Sequence, residues 1–268
     1  MKRSAGSGAR KPVRTVGAPA SVRVLGVRVD AVDTAGVMSA VEGAVRARAR
    51  VAFPNVNVHA ISIAQRDERF RRLLDAAPLV YCDGMGVRLA GAMLGVKLPP
   101  CTVMTWWLHD LAAWCAVRGF SLYLLGGAEG VAAAAAERLR EASPGLRIAG
   151  ARHGYFAKSG PESSRVVDDI NASGADILVV CFGMPLQEHW YGEHRDRLAV
   201  PVTLFGGAAL DYAAGEKSPG PRWLASAGVA WLYRLAREPR RLWKRYLVGN
   251  PLFMIRVIAQ LLREGRQR

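Results

Sequence analysis

Ser121-Leu122-Tyr123-Leu124-Leu125 is an apolar, strand-forming run that stops at Gly126-Gly127, and an alanine-rich helical stretch follows from Val131 to Glu141. A continuous apolar run of this length reads as a strand covered on both faces, and paired glycines let the chain turn sharply into the next helix. The same unit recurs on either side. Asp176–Cys181 leads through Gly183 to a helix over Leu186–Arg197, and Val202–Phe205 ends in Gly206-Gly207. Upstream, a helix over Thr34–Arg48 carries Val37, Val41 and Val45 at one helical face before a short strand at Val51–Phe53. A helix across His59–Ala76 precedes the strand Leu79–Tyr81, which delivers Asp83-Gly84. Helices over Val87–Leu94 and Met104–Arg118, a strand at Leu146–Ala149 and a helix over Glu162–Asn171 complete the pattern. Strands of Val, Ile and Leu alternating with helices predict an α/β fold, a Rossmann-like parallel sheet with helices on both faces.

The charge is uneven. Of the 37 Lys and Arg, residues 1–23 hold six and residues 222–268 hold eleven, with only two of the 22 acidic residues. The middle of the chain is therefore neutral, and the formal excess of +15 sits at the two ends. That distribution argues against a uniformly basic nucleic-acid binder and for a neutral body with a basic extension. The expected organisation is a flexible basic arm over 1–20, an α/β core over 21–221 and a basic amphipathic appendage over 222–268. No uncharged apolar run reaches the ~18 residues of a spanning helix. Arg23 and Arg28 interrupt the first apolar stretch, so it does not read as a secretory signal and the cytoplasm is the expected compartment. Cys82, Cys101, Cys115 and Cys181 lie far apart in apolar surroundings and read as buried thiols.

In parallel sheets ligands collect beyond the carboxyl ends of the strands. Five turns there carry suitable residues: Pro54-Asn55-Val56-Asn57, Asp83-Gly84-Met85-Gly86, Gly126-Gly127, Gly183 through Gln187-Glu188, and Gly206-Gly207 with Asp211. Gly126-Gly127 either cradles a diphosphate or makes a structural turn, and it does not complete the dinucleotide fingerprint. Asp83 is either a partly desolvated general base or a helix cap. Asn55 and Asn57 either bond a ligand or cap the following helix, and Gln187 either reads a base or sugar hydroxyl or is an ordinary first-turn residue. The five histidines show no metal-ligand spacing, and there is no Asp-x-Asp to hold a divalent ion on a diphosphate. From Trp231 to Tyr246, and again after Pro251, aromatic and aliphatic residues interleave with Arg and Lys at helical spacing. That composition suits the surface of an anionic membrane; a packed helix with a solvated basic face is the plainer reading.

The order of these motifs resembles the TagA/WecG/CpsF glycosyltransferases, glycosyltransferase family 26, from about Val22 to Tyr246. The matching pieces are Tyr81-Cys82-Asp83-Gly84-Met85-Gly86, Leu124-Leu125-Gly126-Gly127, Gly154-Tyr155-Phe156, Asp176–Val180 with Phe182 through Glu188, Phe205-Gly206-Gly207, Trp231 through Leu235 and Glu238 through Leu242. The resemblance implies an inverting, metal-independent transferase with no cofactor. It would move a sugar from a nucleotide-sugar donor, usually a UDP-sugar such as UDP-N-acetylmannosamine, to a polyprenyl-diphosphate-linked saccharide in exopolysaccharide or cell-envelope glycan assembly. It further implies that Asp83 is the base and that Gln187 and Glu188 lie at the nucleotide; the strand-end turns add Asn55, Gly84, Gly126, Gly127, Gly183 and Asp211 as expected donor-side residues. Arg234, Arg237, Arg241 and Arg245 would reach phosphates or the acceptor, at the inner face of the cell membrane. A homo-oligomer is left open.

The chain also departs from the family pattern. Phe53 stands where the family has Thr, and Thr102-Val103-Met104-Thr105-Trp106-Trp107 replaces an Arg-Val-x-Gly-x-Asp motif. Pro219-Gly220-Pro221 replaces Arg-Ala-Pro, and Ala230 stands for a Glu. Two rivals follow: a catalytically lapsed member that binds nucleotide sugar or membrane as an assembly partner, and a basic nucleic-acid binder.

Overall fold

The computed structural model describes residues 19–100, 104–218, 220, 224 and 230–266. The expected arm over 1–20 lies almost wholly outside these, as do Cys101, Thr102 and Val103. Nine strands are described, in two sheets. The larger is entirely parallel, in the order β3 (Val51–Phe53), β9 (Val202–Phe205), β8 (Ile177–Cys181), β6 (Ser121–Gly126) and β7 (Arg147–Arg152). Alternate residues of its apolar strands serve opposite faces, as the two-residue period of a strand dictates. Leu122 and Leu124 join Ile177 and Val179 in one cluster, beneath α1 (Thr34–Arg46), α5 (Met104–Arg118) and α6 (Val131–Ala142). Tyr123 and Leu125 join Leu178 and Val180 in another, beneath α7 (Gly160–Ala172) and α8 (Leu186–His194). This is the doubly covered sheet that the apolar runs require.

The smaller sheet was not anticipated as a separate layer. Its order is β1 (Ser21–Val24), β2 (Val27–Asp30), β5 (Tyr81–Cys82) and β4 (Asn55–Val56). β1 and β2 form an antiparallel hairpin, and the other pairs are parallel. The split falls at Pro54. Residues up to Phe53 pair with β9, whereas Asn55 and Val56 pair with β5. Proline has no N–H to give either ladder, so it marks a natural point for a strand to change partners. The expected helix over His59–Ala76 is likewise two helices, α2 (Val58–Ala64) and α3 (Glu68–Ala76). Asp67 restarts the chain by accepting the Phe70 N–H at 3.0 Å, a side-chain cap that satisfies an otherwise unpaired donor.

After α4 (Met85–Met93) and α9 (Ala209–Ala213), the basic segment forms α10 (Ala230–Arg237), α11 (Pro239–Trp243), a π-helical stretch over Lys244–Gly249 and α12 (Asn250–Gly265). α12 is built into the fold. Phe253 and Val257 are fully buried with Val24, Val87 and Ala90 around the smaller sheet, each removal from water being worth roughly 1.5–3 kcal/mol. The Gln260 side chain adds polar stitches, accepting the Leu25 N–H at 2.7 Å and donating to the Arg23 carbonyl at 2.8 Å. The outward face of the same region remains apolar: Leu247, Val248, Leu252, Ile255, Ile258 and Leu262 are all exposed. None of the helices among the described residues is long and apolar enough to cross a membrane.

Candidate active site

The carboxyl ends of β4, β5, β8 and β9 meet at a cavity of about 380 Å³ lined from both sheets and from the C-terminal segment. Asp83 enters it from the turn after β5. Its backbone N–H donates to the Val56 carbonyl at 2.8 Å, which extends the β4–β5 ladder by one step and fixes where the side chain starts. Gly84 follows at φ +110°, a conformation that an L side chain rarely adopts, so the tight exit from the strand depends on glycine. Asn57 Nδ2 donates to Asp83 Oδ2 at 3.4 Å.

Two cations face this acid from far along the chain. Arg234 of α10 and Arg245 of the π-helical stretch both line the cavity. Burial pushes the Asp83 carboxyl above its ordinary range, while the Arg234 guanidinium, the Asn57 amide and Arg245 pull it back toward ionisation. Arg234 lies over the Tyr212 ring at 5.5 Å, and Tyr246, also in the cavity wall, packs against Trp231 with ring centroids 5.9 Å apart. These aromatic contacts brace the segment that carries the two arginines. His59, on the first turn of α2, also faces the cavity; burial and then Arg245 push its imidazole down to about 4. It is therefore neutral at physiological pH.

The expected donor residues divide. Asn55 and Gly183 line the cavity, and Asn55 Nδ2 donates to the Phe205 carbonyl at 3.2 Å, joining β4 to β9. Gln187 also reaches the wall, but its amide is already occupied: Oε1 accepts the N–H groups of Gly183 and Gly207 at 3.2 and 3.1 Å, and Nε2 donates to Glu188 at 2.8 Å. In this arrangement it ties two loops together instead of offering its amide to a ligand. Glu188 is absent from the cavity wall and fully buried, and burial pushes its carboxyl up to about 7.

Gly126, Gly127 and Asp211 are not in the wall either. A Cβ on Gly126 would strike the Cys181 backbone, and one on Gly127 would meet Val131 at 2.6 Å, so these glycines serve close packing. Asp211 pairs with Lys217 at 3.0 Å. Arg237 lines a neighbouring pocket of about 190 Å³ that shares Tyr212 and Arg234 with the main cavity. The Arg241 side chain lies outside the described residues. Cys82, Cys115 and Cys181 are buried free thiols, as their apolar context predicts. Among the described residues no three His, Cys, Asp or Glu side chains gather as metal ligands.

Sequence reasoning passed over His59, Tyr212 and Tyr246. His59 had a local signal, because it stands two residues after the capping Asn57. The two tyrosines had none beyond their place in aromatic, basic stretches.

A strand-end carboxylate facing two guanidiniums, where the carboxyl ends of strands from both sheets converge, marks the candidate active site of an α/β protein. The family is given by comparison: the model described as the Glycosyl transferase WecG/TagA/CpsF family matches residues 22–267. The chain belongs to that family and is a glycosyltransferase. It is 27% identical over 184 residues to the N-acetylglucosaminyldiphosphoundecaprenol N-acetyl-beta-D-mannosaminyltransferase of Bacillus spizizenii, covering 69% of this chain and 70% of that protein.

Proposed function

We propose that the protein transfers a sugar, with inversion and without a metal, from a nucleotide-sugar donor to a polyprenyl-diphosphate-linked saccharide in cell-envelope glycan assembly. The observation that carries this reading is the position of Asp83, opposite Arg234 and Arg245 in a single cavity. Ionised Asp83 takes the proton of the acceptor hydroxyl as that oxygen attacks the anomeric carbon from the face opposite the nucleotide. The oxygen–carbon bond forms as the bond from carbon to the diphosphate oxygen breaks, and the nucleoside diphosphate departs with the electron pair. Arg234 and Arg245 neutralise the charge that develops on the leaving diphosphate, work that an Arg guanidinium performs through bidentate hydrogen bonds. The relative's name specifies a polyprenyl-linked N-acetylglucosaminyl acceptor and an N-acetylmannosaminyl group, which supports the acceptor class. Phe53 and the segment from Thr102 to Trp107 differ from the usual donor-side motifs, so the sugar is to be found by screening.

On this reading a lipid-linked acceptor brings the enzyme to a membrane, at its inner face, and the surface of α12 is consistent with such a peripheral position. Phe253 and Val257 turn one side of the helix into the core, while Leu252, Ile255, Ile258 and Leu262 make the outer side apolar too. With Arg256 and Arg263 on the same helix, that uncovered face suits an anionic bilayer surface.

The deciding experiment measures transfer from a panel of nucleotide sugars to a polyprenyl-diphosphate N-acetylglucosamine acceptor, with and without EDTA. Wild type should turn over one donor equally in both, and Asp83→Asn should bind that donor without transferring it. Turnover by Asp83→Asn at the wild-type rate would overturn the mechanism.

A further inference from the structure

We propose that Asn57 is the positioning residue for the Asp83 carboxylate, holding it oriented and ionised through an amide that the fold prevents from flipping. The proposal rests on Asp83 being the base.

The sheet register sets the pair up. β4 and β5 run parallel with Asn55 opposite Tyr81 and Val56 opposite Cys82. One step further, Asn57 stands opposite Asp83, and the bond from Asp83 N–H to Val56 carbonyl carries the ladder to that point. Side chains opposite one another in a register point to the same face of a sheet.

The orientation of the Asn57 amide is then dictated by helix α2. Asn57 is its N-cap, and Oδ1 accepts two backbone N–H groups, from His59 at 3.0 Å and Ala60 at 3.1 Å. Only the oxygen end of the amide can serve two donors. The NH₂ end must therefore face away from the helix, where it donates to Asp83 Oδ2. One side chain thus starts a helix and aims a proton donor at the acid.

The other groups facing Asp83 do not substitute for this contact. Arg234 and Arg245 are the cations of the cavity and, on the mechanism above, are drawn to the diphosphate. His59 is neutral, and Tyr81 is a phenol that burial keeps protonated. Asn57 is uncharged, is fixed in place as the cap of α2, and donates a hydrogen bond to the acid. It favours the ionised carboxylate without forming an ion pair that would quench its basicity.

Asn57→Asp separates the two roles, because aspartate and asparagine cap helices about equally well. The variant keeps the cap acceptor and replaces the amide donor with a second carboxylate beside Asp83. Two neighbouring carboxylates resist joint ionisation, so the proton affinity of the pair rises. Asn57→Ser is the companion, since serine also caps but does not reach across to the acid. The assay is the pH profile of kcat for the full chain with donor and lipid acceptor, alongside thermal unfolding. For Asn57→Asp the expected result is a loss of about tenfold or more in kcat at neutral pH, with the acidic limb moved upward by at least about one unit. Asn57→Ser moves it the same way by less, and both variants unfold near the wild-type temperature. An acidic limb that stays at its wild-type position in both folded variants overturns the proposal, leaving Asn57 as a cap. Failure of the base assignment would look different: Asp83→Asn itself would keep its turnover.

Discussion

The turn after β5 and the turn after β6 both follow a short apolar strand, and both bring glycine to the carboxyl edge of a sheet. At the first, Gly84 lets the chain leave the strand so that Asp83 faces a cavity. At the second, Gly126 and Gly127 lie so close to Cys181 and Val131 that no side chain fits, and the Gly127 carbonyl accepts the Gly154 N–H at 2.8 Å. One turn opens toward a cavity; the other is closed by protein. Glycine after a strand reports that something must come close to the backbone, but the neighbouring strands decide whether that is substrate or self.

The largest expected effect tests the open turn. Asp83→Asn should lower kcat by about a thousandfold or more, within the usual range for removing a general base, while unfolding stays close to wild type. Steady-state kinetics with calorimetric donor binding checks both halves. A comparable loss from a variant of the β6 turn, with the fold intact, would break the contrast.

Next come the cations that complete the open turn. Arg234→Ala and Arg245→Ala should each reduce kcat/KM by about a hundredfold, the scale of losing one charge-stabilising donor. Arg237→Ala, outside the main cavity, should cost much less in the same assay.

The buried acid in the first turn of α8 sharpens the comparison through stability. The folded-state proton affinity of Glu188 is raised to about 7 from an ordinary 4.5. Between those values the unfolded chain has released the proton and the folded protein has kept it, so stability falls as pH rises from about 4.5 to about 7, then levels off. Glu188→Gln removes that loss and keeps the oxygen that accepts from Gln187. Denaturant titration should show it stabilised by an amount that grows across this window to the order of 3 kcal/mol. A stability difference that does not vary with pH would refute the assignment.

The smallest effect belongs to the closed turn. Gly127→Ala places a Cβ at φ +71° and against Val131, which should cost roughly 1–2 kcal/mol of stability. Its kcat per folded molecule should match wild type.

Much of this architecture was legible because β6, β8 and β9 are continuous apolar runs, and such runs have few other fates than a doubly covered strand. The hairpin of β1 and β2 is equally present in the alternation of Val22, Val24, Val27 and Val29 around Leu25-Gly26, but each strand is only four residues long and the charges of Arg23 and Arg28 mask its period. The division into two sheets hinges on Pro54, a single residue whose effect depends on which partners wait on either side. At the site, Asp83 could be picked out locally, yet a cap and a base look identical in one dimension. That Arg234 and Arg245 close over it rested on family resemblance alone, since about 150 residues separate them from the acid and no local pattern encodes the approach. Glu188 shows the limit most plainly: an acidic residue in a first helical turn suggests exposure, and only packing from distant segments buries it.

The docking of α12 has a consequence for how the molecule comes into being. Arg234 and Arg245 precede a helix whose Phe253, Val257 and Gln260 hold onto the opening hairpin. A nascent chain that has made both arginines still lacks the latch that keeps them over the acid. Synthesis thus adds the two cations of the cavity only after all nine described strands, and a fragment ending before them would carry Asp83 without the guanidiniums that face it. Cutting away residues 222–268 would also remove Phe253 and Val257 from beneath β1, so a test of the proposed bilayer contact is better made with polar replacements at the exposed Leu247 and Ile255, which leave that packing in place.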